Sequence, residues 1–137
     1  MGNAAIGNGG AGLSTATKTL LDLMIAAGVP VPGTDLDDSA ADIDPWTDKA
    51  SLYVLPAATL TTNRSRALVA ATGAPDGYRV TVVRRDRTAN SFTVTDKASG
   101  ATLFASGASP TADYAYDVVW NTANWVYGTC TIVQPLP

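Results

Sequence analysis

The chain contains 137 residues, a length that suits one domain with an appended arm. Its hydrophobic content of 46% argues against wholesale disorder. Charged residues make up only 15%, which fits either a surface that contacts other protein or a plain neutral surface. The absence of His removes the usual general base of enzymes near neutral pH.

The charge is divided unevenly along the chain. Residues 1–50 contain two lysines and seven aspartates, whereas residues 51–137 contain seven basic and five acidic residues. This asymmetry predicts two segments with different neighbours, an anchor over residues 1–50 and a β-domain over residues 51–137. No apolar run reaches the roughly 18 residues that a membrane span needs, so no membrane partner is expected.

The predicted anchor begins with a Gly-rich arm, Met1 to Gly12, which we expect to be flexible by itself. A short helix follows from Leu13 to Ala27, with Ser14 as its N-cap. Such a helix is too short to be stable alone, so its apolar stripe must pack on its own domain, on other copies or on a partner. The stripe consists of Leu13, Leu20, Leu21, Met24 and Ile25.

The stretch from Val29 to Trp46 is predicted to be an extended linker, because it holds three prolines and five of the aspartates. Asp35, Asp37 and Asp42 could offer oxygen ligands to a metal ion. A calcium loop also requires a turn Gly and a bidentate Glu at a fixed spacing, and this stretch does not provide that pattern. We therefore expect no metal and no other cofactor.

From Ser51 onward the sequence is typical of an all-β chain. Short β-branched and aromatic runs recur at roughly ten-residue spacing with turn signals between them. The predicted fold is mainly β, an antiparallel β-sandwich or jelly-roll-like barrel with an N-terminal extended arm and one short helix. The predicted strands are 51–55, 64–71, 78–84, 92–95, 102–105, 114–120 and 125–133.

Two of these runs, Tyr78 to Arg84 and Phe92 to Thr95, alternate apolar and polar residues on either side of a polar break. The pattern predicts a β-hairpin with an open, solvated tip, because the break is too long for a two-residue turn. Arg84, Arg85 and Arg87 lie in that tip and are candidate contacts for a phosphate, a carboxylate-bearing sugar or an acidic protein surface. A solvated tip that only resists aggregation would carry the same charges.

Aromatic residues near the C-terminus form a second candidate contact surface. They could build a stacking platform for a sugar, although aromatic residues on one strand face more often belong to the core. The four residues are Tyr114, Tyr116, Trp120 and Trp125.

The sequence contains few residues that could take part in catalysis. Cys130 has no second Cys to pair with and no His to activate it, and we expect it to be a small buried hydrophobic residue. The nominal carboxylate pairs, Asp37 with Asp38 and Asp113 with Asp117, are poorly placed for glycoside hydrolysis. We therefore expect no enzymatic activity, and the net charge of −3 argues against nucleic acid as a partner.

Several turn and strand features together carry a resemblance to known proteins. They are Asn63-Arg64, the turn Gly73 to Gly77, the alternating strand Tyr78 to Arg84, the strand Phe92 to Val94 and the late Asn124 to Val126. In this combination the chain resembles a β-module that recurs in tailed-bacteriophage fibre, tail and head-decoration proteins. The resemblance implies a virion protein, made in the host cytoplasm, and proteins of this kind are commonly trimers.

The sequence thus predicts a non-enzymatic structural protein of a tailed-phage virion, a capsid-decoration or head-fibre protein. Its expected partners are further copies in a homotrimer and the major capsid protein or another virion protein, to which the anchor would attach. The alternative is a tail-fibre or receptor-binding module whose aromatic face and arginine tip contact a host-surface glycan. A small glycan-acting enzyme is a third hypothesis.

Overall fold

The computed structural model describes residues 14–133 and shows a mainly β protein. Seven strands follow a twelve-residue helix, α1 (Thr15–Ala26), and a short helix, α2 (Pro45–Asp48). The strands are β1 (Leu52–Leu55), β2 (Arg64–Leu68), β3 (Arg79–Arg84), β4 (Phe92–Asp96), β5 (Thr102–Ser106), β6 (Asp113–Trp120) and β7 (Trp125–Val133). Neither helix of the described range is long and apolar enough to cross a membrane.

The strands form two open sheets, with the orders β1-β3-β6-β7 and β2-β4-β5, and the predicted β-sandwich is confirmed. One detail of the prediction is wrong, because each sheet contains a parallel pair. β1 runs parallel to β3 and β2 runs parallel to β4, while the remaining neighbours are antiparallel. The strands from β1 to β4 therefore alternate between the two sheets. Two parallel neighbours cannot be joined by a tight turn, so the chain crosses to the other sheet between them.

The predicted hairpin between β3 and β4 is also wrong. β3 pairs with β1 and β6, and β4 pairs with β2 and β5, so the two strands lie in opposite sheets. The segment between them crosses one end of the sandwich instead of turning within a sheet. Period-two alternation shows which face of a strand is buried, and it carries no information about which strand lies beside it.

Helix α1 packs on its own domain. Ser14 is its N-cap, as predicted, and the Ser14 side chain accepts a hydrogen bond from the Thr17 backbone N–H at 3.1 Å. Leu21 and Ile25 are buried in the core, and Met24 packs against it. Leu20 remains 52% exposed, so it is the one described member of the predicted stripe that faces solvent. The arm and Leu13 lie outside the described residues.

The predicted linker is extended, but it is part of the core. Val31, Leu36 and Ile43 are buried among residues of both sheets. Its backbone bonds to β1, with Leu36 N–H donating to the Val54 carbonyl at 2.8 Å, and to β2, with Ile43 N–H donating to the Ala67 carbonyl at 2.9 Å. The segment thus covers the free edges of β1 and β2. The boundary predicted at residue 50 stays a prediction about folding units, although both sides of it contribute to one core.

Three of the five aspartates of this segment bind cations of their own chain. Asp37 forms an ion pair with Arg66 at 2.5 Å, and Asp38 forms one with Arg64 at 2.8 Å. Asp42 pairs with Lys97 on the loop after β4. These contacts tie the extended segment to the second sheet. Within residues 14–133, no three His, Cys, Asp or Glu side chains come together as a metal site would require.

Candidate functional site

A fully buried ion pair lies at one end of the sandwich, where the sequence predicted a solvated tip. Arg84 and Asp86 each have 0% exposure, and 3.3 Å separates Arg84 Nη2 from Asp86 Oδ1. Arg84 is therefore not a surface contact, which corrects the prediction made for it. Burying two charges is costly unless every remaining donor and acceptor also finds a partner.

The Arg84 guanidinium joins three segments of the chain. Nη1 donates to the carbonyl and hydroxyl oxygens of Ser106 at 3.0 and 2.8 Å and to the Gly107 carbonyl at 2.9 Å. Nη2 donates to the Asn90 carbonyl at 2.5 Å, and Nε donates to the Asp86 carbonyl at 2.9 Å. A planar cation with donors fixed in a fork suits this role, because it holds the ends of β3 and β5 and the approach to β4 in one geometry.

The Asp86 carboxylate joins the same end to the connection between β1 and β2. Oδ2 accepts from the backbone N–H groups of Thr59 and Leu60 at 2.7 and 2.9 Å. Oδ1 accepts from the Thr88 N–H at 3.1 Å and from its hydroxyl at 2.6 Å. Burial alone would raise the pKa of Asp86, but the hydrogen bonds from Thr88, Leu60 and Thr59 outweigh it and leave the pKa below its usual range.

The residues that alternate with this pair point outward. Arg85 is exposed, and its side chain forms no ion pair with any residue between 14 and 133. Arg87 is also exposed, and its Nη2 lies 3.1 Å from Asp113 Oδ1. Two of the three predicted contact arginines are thus on the surface, held there by the buried pair beneath them.

An open cavity of about 480 Å³ lies beside these two arginines. Ala57, Ala58, Thr88 and Asp113 complete its lining. Ala58 has a φ of 55°, in the left-handed region that a residue with a Cβ rarely adopts. The neighbouring Thr59 N–H bond to Asp86 holds this turn, so the buried network also shapes the cavity wall. We call this the arginine cavity. Sequence analysis identified the arginines but not the alanine turn opposite them.

The aromatic residues of the second predicted contact surface belong to the core. Tyr116, Trp120 and Trp125 are buried, and Tyr114 packs partly buried against them. The Trp125 indole N–H donates to the Val69 carbonyl at 2.8 Å. A sugar-stacking platform needs an exposed ring face, so the core interpretation is correct and the platform interpretation is wrong.

Strand β7 is exposed along most of its length. From Val126 to Ile132 every residue is solvent-exposed, including Tyr127 at 46% and Ile132 at 50%. Cys130 is exposed as well, although the sequence predicted a buried residue. The β7 strand also ends its sheet, so one of its edges has no neighbouring strand within the described chain.

The exposure of β7 follows from the unequal width of the two sheets. Cys130 and Ile132 pair with Tyr116 and Tyr114 of β6, so they share the face that packs inward on β6. Phe104 of β5, the last strand of the other sheet, stacks on Tyr116 with ring centroids 4.2 Å apart. β5 also contacts part of β7. Because the second sheet has three strands against four in the first, it nevertheless leaves residues 126–132 of β7 exposed. We call Tyr127, Cys130 and Ile132 the apolar row of β7.

The carboxylate pairs considered for glycoside hydrolysis are bound by cations. Asp113 is held by Arg87, and Asp117 lies 3.6 Å from Arg79 and accepts from the Thr81 hydroxyl at 2.6 Å. The other pair, Asp37 and Asp38, is bound by the arginines of β2 described above. Each carboxylate has a structural partner that explains its position.

Comparison of the chain with known proteins identified no relative. No family model matches the chain, and no curated protein or solved structure matches it either. What the protein does is therefore inferred from its own surfaces and from the resemblance in its sequence.

The folded state is expected to lose stability in acid between about pH 4 and pH 2. Hydrogen bonds from Arg64 and Thr61 lower the pKa of Asp38 to about 2, and the pKa of Asp86 is lowered as well. The unfolded chain, with Asp pKa values of about 3.9, binds more protons than the folded state in this range. The stabilisation is therefore complete above about pH 4 and is lost as the pH falls. Asp48 contributes with the opposite sign, because burial raises its pKa.

Urea unfolding midpoints measured from pH 6 to pH 2 check this expectation. The Asp38→Asn variant serves as the comparison, because it removes one of the titrating groups and should flatten part of the slope. A midpoint that stays constant down to pH 2 would contradict it.

Proposed function

We propose that the protein is a non-enzymatic structural component of a tailed-bacteriophage virion, a capsid-decoration or head-fibre protein that assembles as a homotrimer through β7. The resemblance of its β-domain sequence to phage fibre and decoration modules supports the virion assignment. The uncovered apolar row of β7 supports self-assembly, and it is the observation that carries the proposal.

The two sides of the sandwich differ in how they are closed. The extended segment covers the free edges of β1 and β2, so little unpaired backbone is left there. On the opposite side, β7 ends its sheet, and within residues 14–133 its apolar row is left exposed. A long exposed edge strand normally carries Lys or Pro to prevent association, and Trp125–Val133 contains neither. A surface of this kind is typical of a site that another protein covers.

A second copy of the chain is the occupant that the strand chemistry favours. Trp125–Val133 contains no charged residue, so identical strands can approach each other without like-charge repulsion. In a trimer, three copies of the apolar row would converge on the three-fold axis, where each residue meets its own equivalents. Attachment to the major capsid protein or another virion protein would use the exposed side of α1, where Leu20 and Leu23 face solvent.

Replacing Tyr127 and Ile132 with Lys is expected to convert the trimer into a monomer. The two lysines would place six positive charges around the axis and remove its apolar contacts. Sedimentation equilibrium at micromolar concentration measures the result as a mass of three chains or of one. Thr131→Lys is the matched control, because Thr131 is exposed on the opposite face of the same strand and should leave the trimer intact.

Two results would contradict this assignment. A wild-type monomer at micromolar concentration would remove the self-assembly role of β7, as would a Tyr127→Lys/Ile132→Lys double variant that stays trimeric. The virion assignment is tested separately, by co-sedimentation of the full chain with assembled phage particles. A trimer that does not bind particles would leave the assembly proposal standing and contradict the virion assignment.

A further inference from the structure

The arginine cavity contains an unpaired cation next to groups that match a hydroxylated ligand. Arg85 has no carboxylate partner among the described residues, so its planar donors are available. Arg87 binds Oδ1 of Asp113, which leaves Oδ2 able to accept from a ligand hydroxyl. Thr88 adds a side chain that can contact the ligand, and the methyl groups of Ala57 and Ala58 add apolar surface.

The cavity is held in place before any ligand arrives. Arg85 and Arg87 are directly bonded in the chain to Asp86, whose carboxylate makes four hydrogen bonds to Thr59, Leu60 and Thr88. Both walls of the cavity, the alanine turn and the arginine segment, are therefore fixed by one buried carboxylate. A preorganised site loses less conformational entropy on binding than a mobile one.

The charges in the cavity select a single carboxylate over a phosphate. Arginine binds carboxylate and phosphate groups with the same two-pronged geometry, so Arg85 alone does not distinguish them. Asp113 at the rim is a negative charge that repels a dianion more strongly than a monoanion. The same Asp113 favours hydroxyl groups, and a volume of about 480 Å³ falls within the range of small-molecule sites.

We infer that the arginine cavity binds a sugar that carries a carboxylate, with Arg85 on the carboxylate and Asp113 on a ring hydroxyl. The sugar ring would lie against the methyl groups of the alanine turn. This function is separate from self-assembly, because the cavity and β7 use different residues. Each β-sandwich of the assembled protein would then have a binding site for an acidic glycan at one end.

An NMR titration tests the inference on the full chain. The probes are glucuronate, galacturonate and N-acetylneuraminate, with glucose as the neutral comparison and inorganic phosphate as the non-sugar anion. We expect at least one acidic sugar to shift the backbone amide signals of Arg85 to Thr88 in a saturable way, with glucose and phosphate binding at least tenfold more weakly. Arg85→Met should weaken the acidic sugar by roughly tenfold or more, the loss expected for a charge-assisted hydrogen bond.

Arg79→Met is the matched control, because Arg79 is an exposed arginine at the other end of β3 and its loss changes the net charge equally. It should bind the sugar as the wild type does, and so should the Ile132→Lys variant, which separates this site from the self-assembly surface. The inference is overturned if no acidic sugar shifts these signals, if Arg85→Met binds unchanged, or if glucose or phosphate binds as tightly.

Discussion

Replacing Arg84 with Met is expected to lower the free energy of unfolding by about 3–5 kcal/mol, the usual cost of removing one partner of a buried ion pair. The substitution leaves the Asp86 carboxylate buried without its cation and takes away the donors that bind the carbonyls of Asn90, Ser106 and Gly107. Typical domains have about 5–15 kcal/mol of stability in total, so this one change should remove a large part of it. Urea or guanidinium unfolding measures the loss.

The adjacent arginine provides the control for this prediction. Arg85→Met removes the same charge from an exposed position and should change the unfolding free energy by less than about 0.5 kcal/mol. The double variant Arg84→Met/Asp86→Leu should lose less unfolding free energy than the sum of the losses in the two single variants. Each single variant leaves one buried charge without its partner, whereas the double variant leaves none. If Arg84→Met cost less than about 1 kcal/mol, the buried network would not be the element that fixes this end of the sandwich.

A chain that begins at Lys49 is expected to be unfolded. It lacks Val31, Leu36 and Ile43, and burying a side chain of this size contributes about 1.5–3 kcal/mol each. It also lacks the segment that bonds to the edges of β1 and β2, so both strands would be left with unpaired backbone groups. The expected loss is comparable with the whole stability of a typical domain. Circular dichroism and thermal melting measure the outcome.

Leu20→Asp is the comparison for the shortened chain. This side chain is about half exposed on α1, so the variant should melt cooperatively at nearly the wild-type temperature. Cooperative melting of the chain that begins at Lys49 would show that residues 51–137 form a folding unit by themselves. The boundary predicted at residue 50 would then hold, and the first fifty residues would act as a separate anchor.

The positions of the strands could be predicted from the sequence because each buries one face. The last strand was predicted as residues 125–133 and is observed with the same bounds, and the others differ by a few residues at their ends. Local signals were also sufficient for the Ser14 N-cap, whose side chain accepts the Thr17 backbone N–H as predicted.

The burial of Arg84 was missed although the sequence contained a signal for it. Arg84 is in phase with Val80 and Val82, which are fully buried, and Asp86 continues the same alternation. Charge was taken as evidence of exposure, because an isolated buried charge is costly. Two opposite charges in phase with a buried strand face could have predicted the internal pair, whereas its partners on β5 and on the β1–β2 turn depend on the tertiary fold.

For strand β7 the error is the reverse, because Cys130 was predicted to be buried and is exposed. Cys130 and Ile132 lie on the inward side of the sheet, beside Tyr116 and Tyr114, although strict alternation from Trp125 would place them on the other face. A shift in the β6–β7 register between Tyr116 and Val118 brings them inward. Whether that side is covered depends on how many strands the opposite sheet contains, and alternation within one strand carries no such information. The unequal width of the sheets therefore decided the exposure of Cys130, and with it the candidate assembly surface.

The parallel pairs in both sheets also set the order in which the protein can fold. Among the described strands, β4–β5 and β6–β7 are the antiparallel neighbours that follow each other directly in the chain, and hairpins of this kind form within about 1–10 μs. Pairing β1 with β3, β2 with β4 and β3 with β6 requires closing longer loops, so completion of the sandwich should take milliseconds to seconds. Strand β7 therefore forms, with one edge unpaired, before the remaining strands have paired. Two newly synthesised chains that meet at this stage would therefore contact each other through this hairpin before either has finished folding.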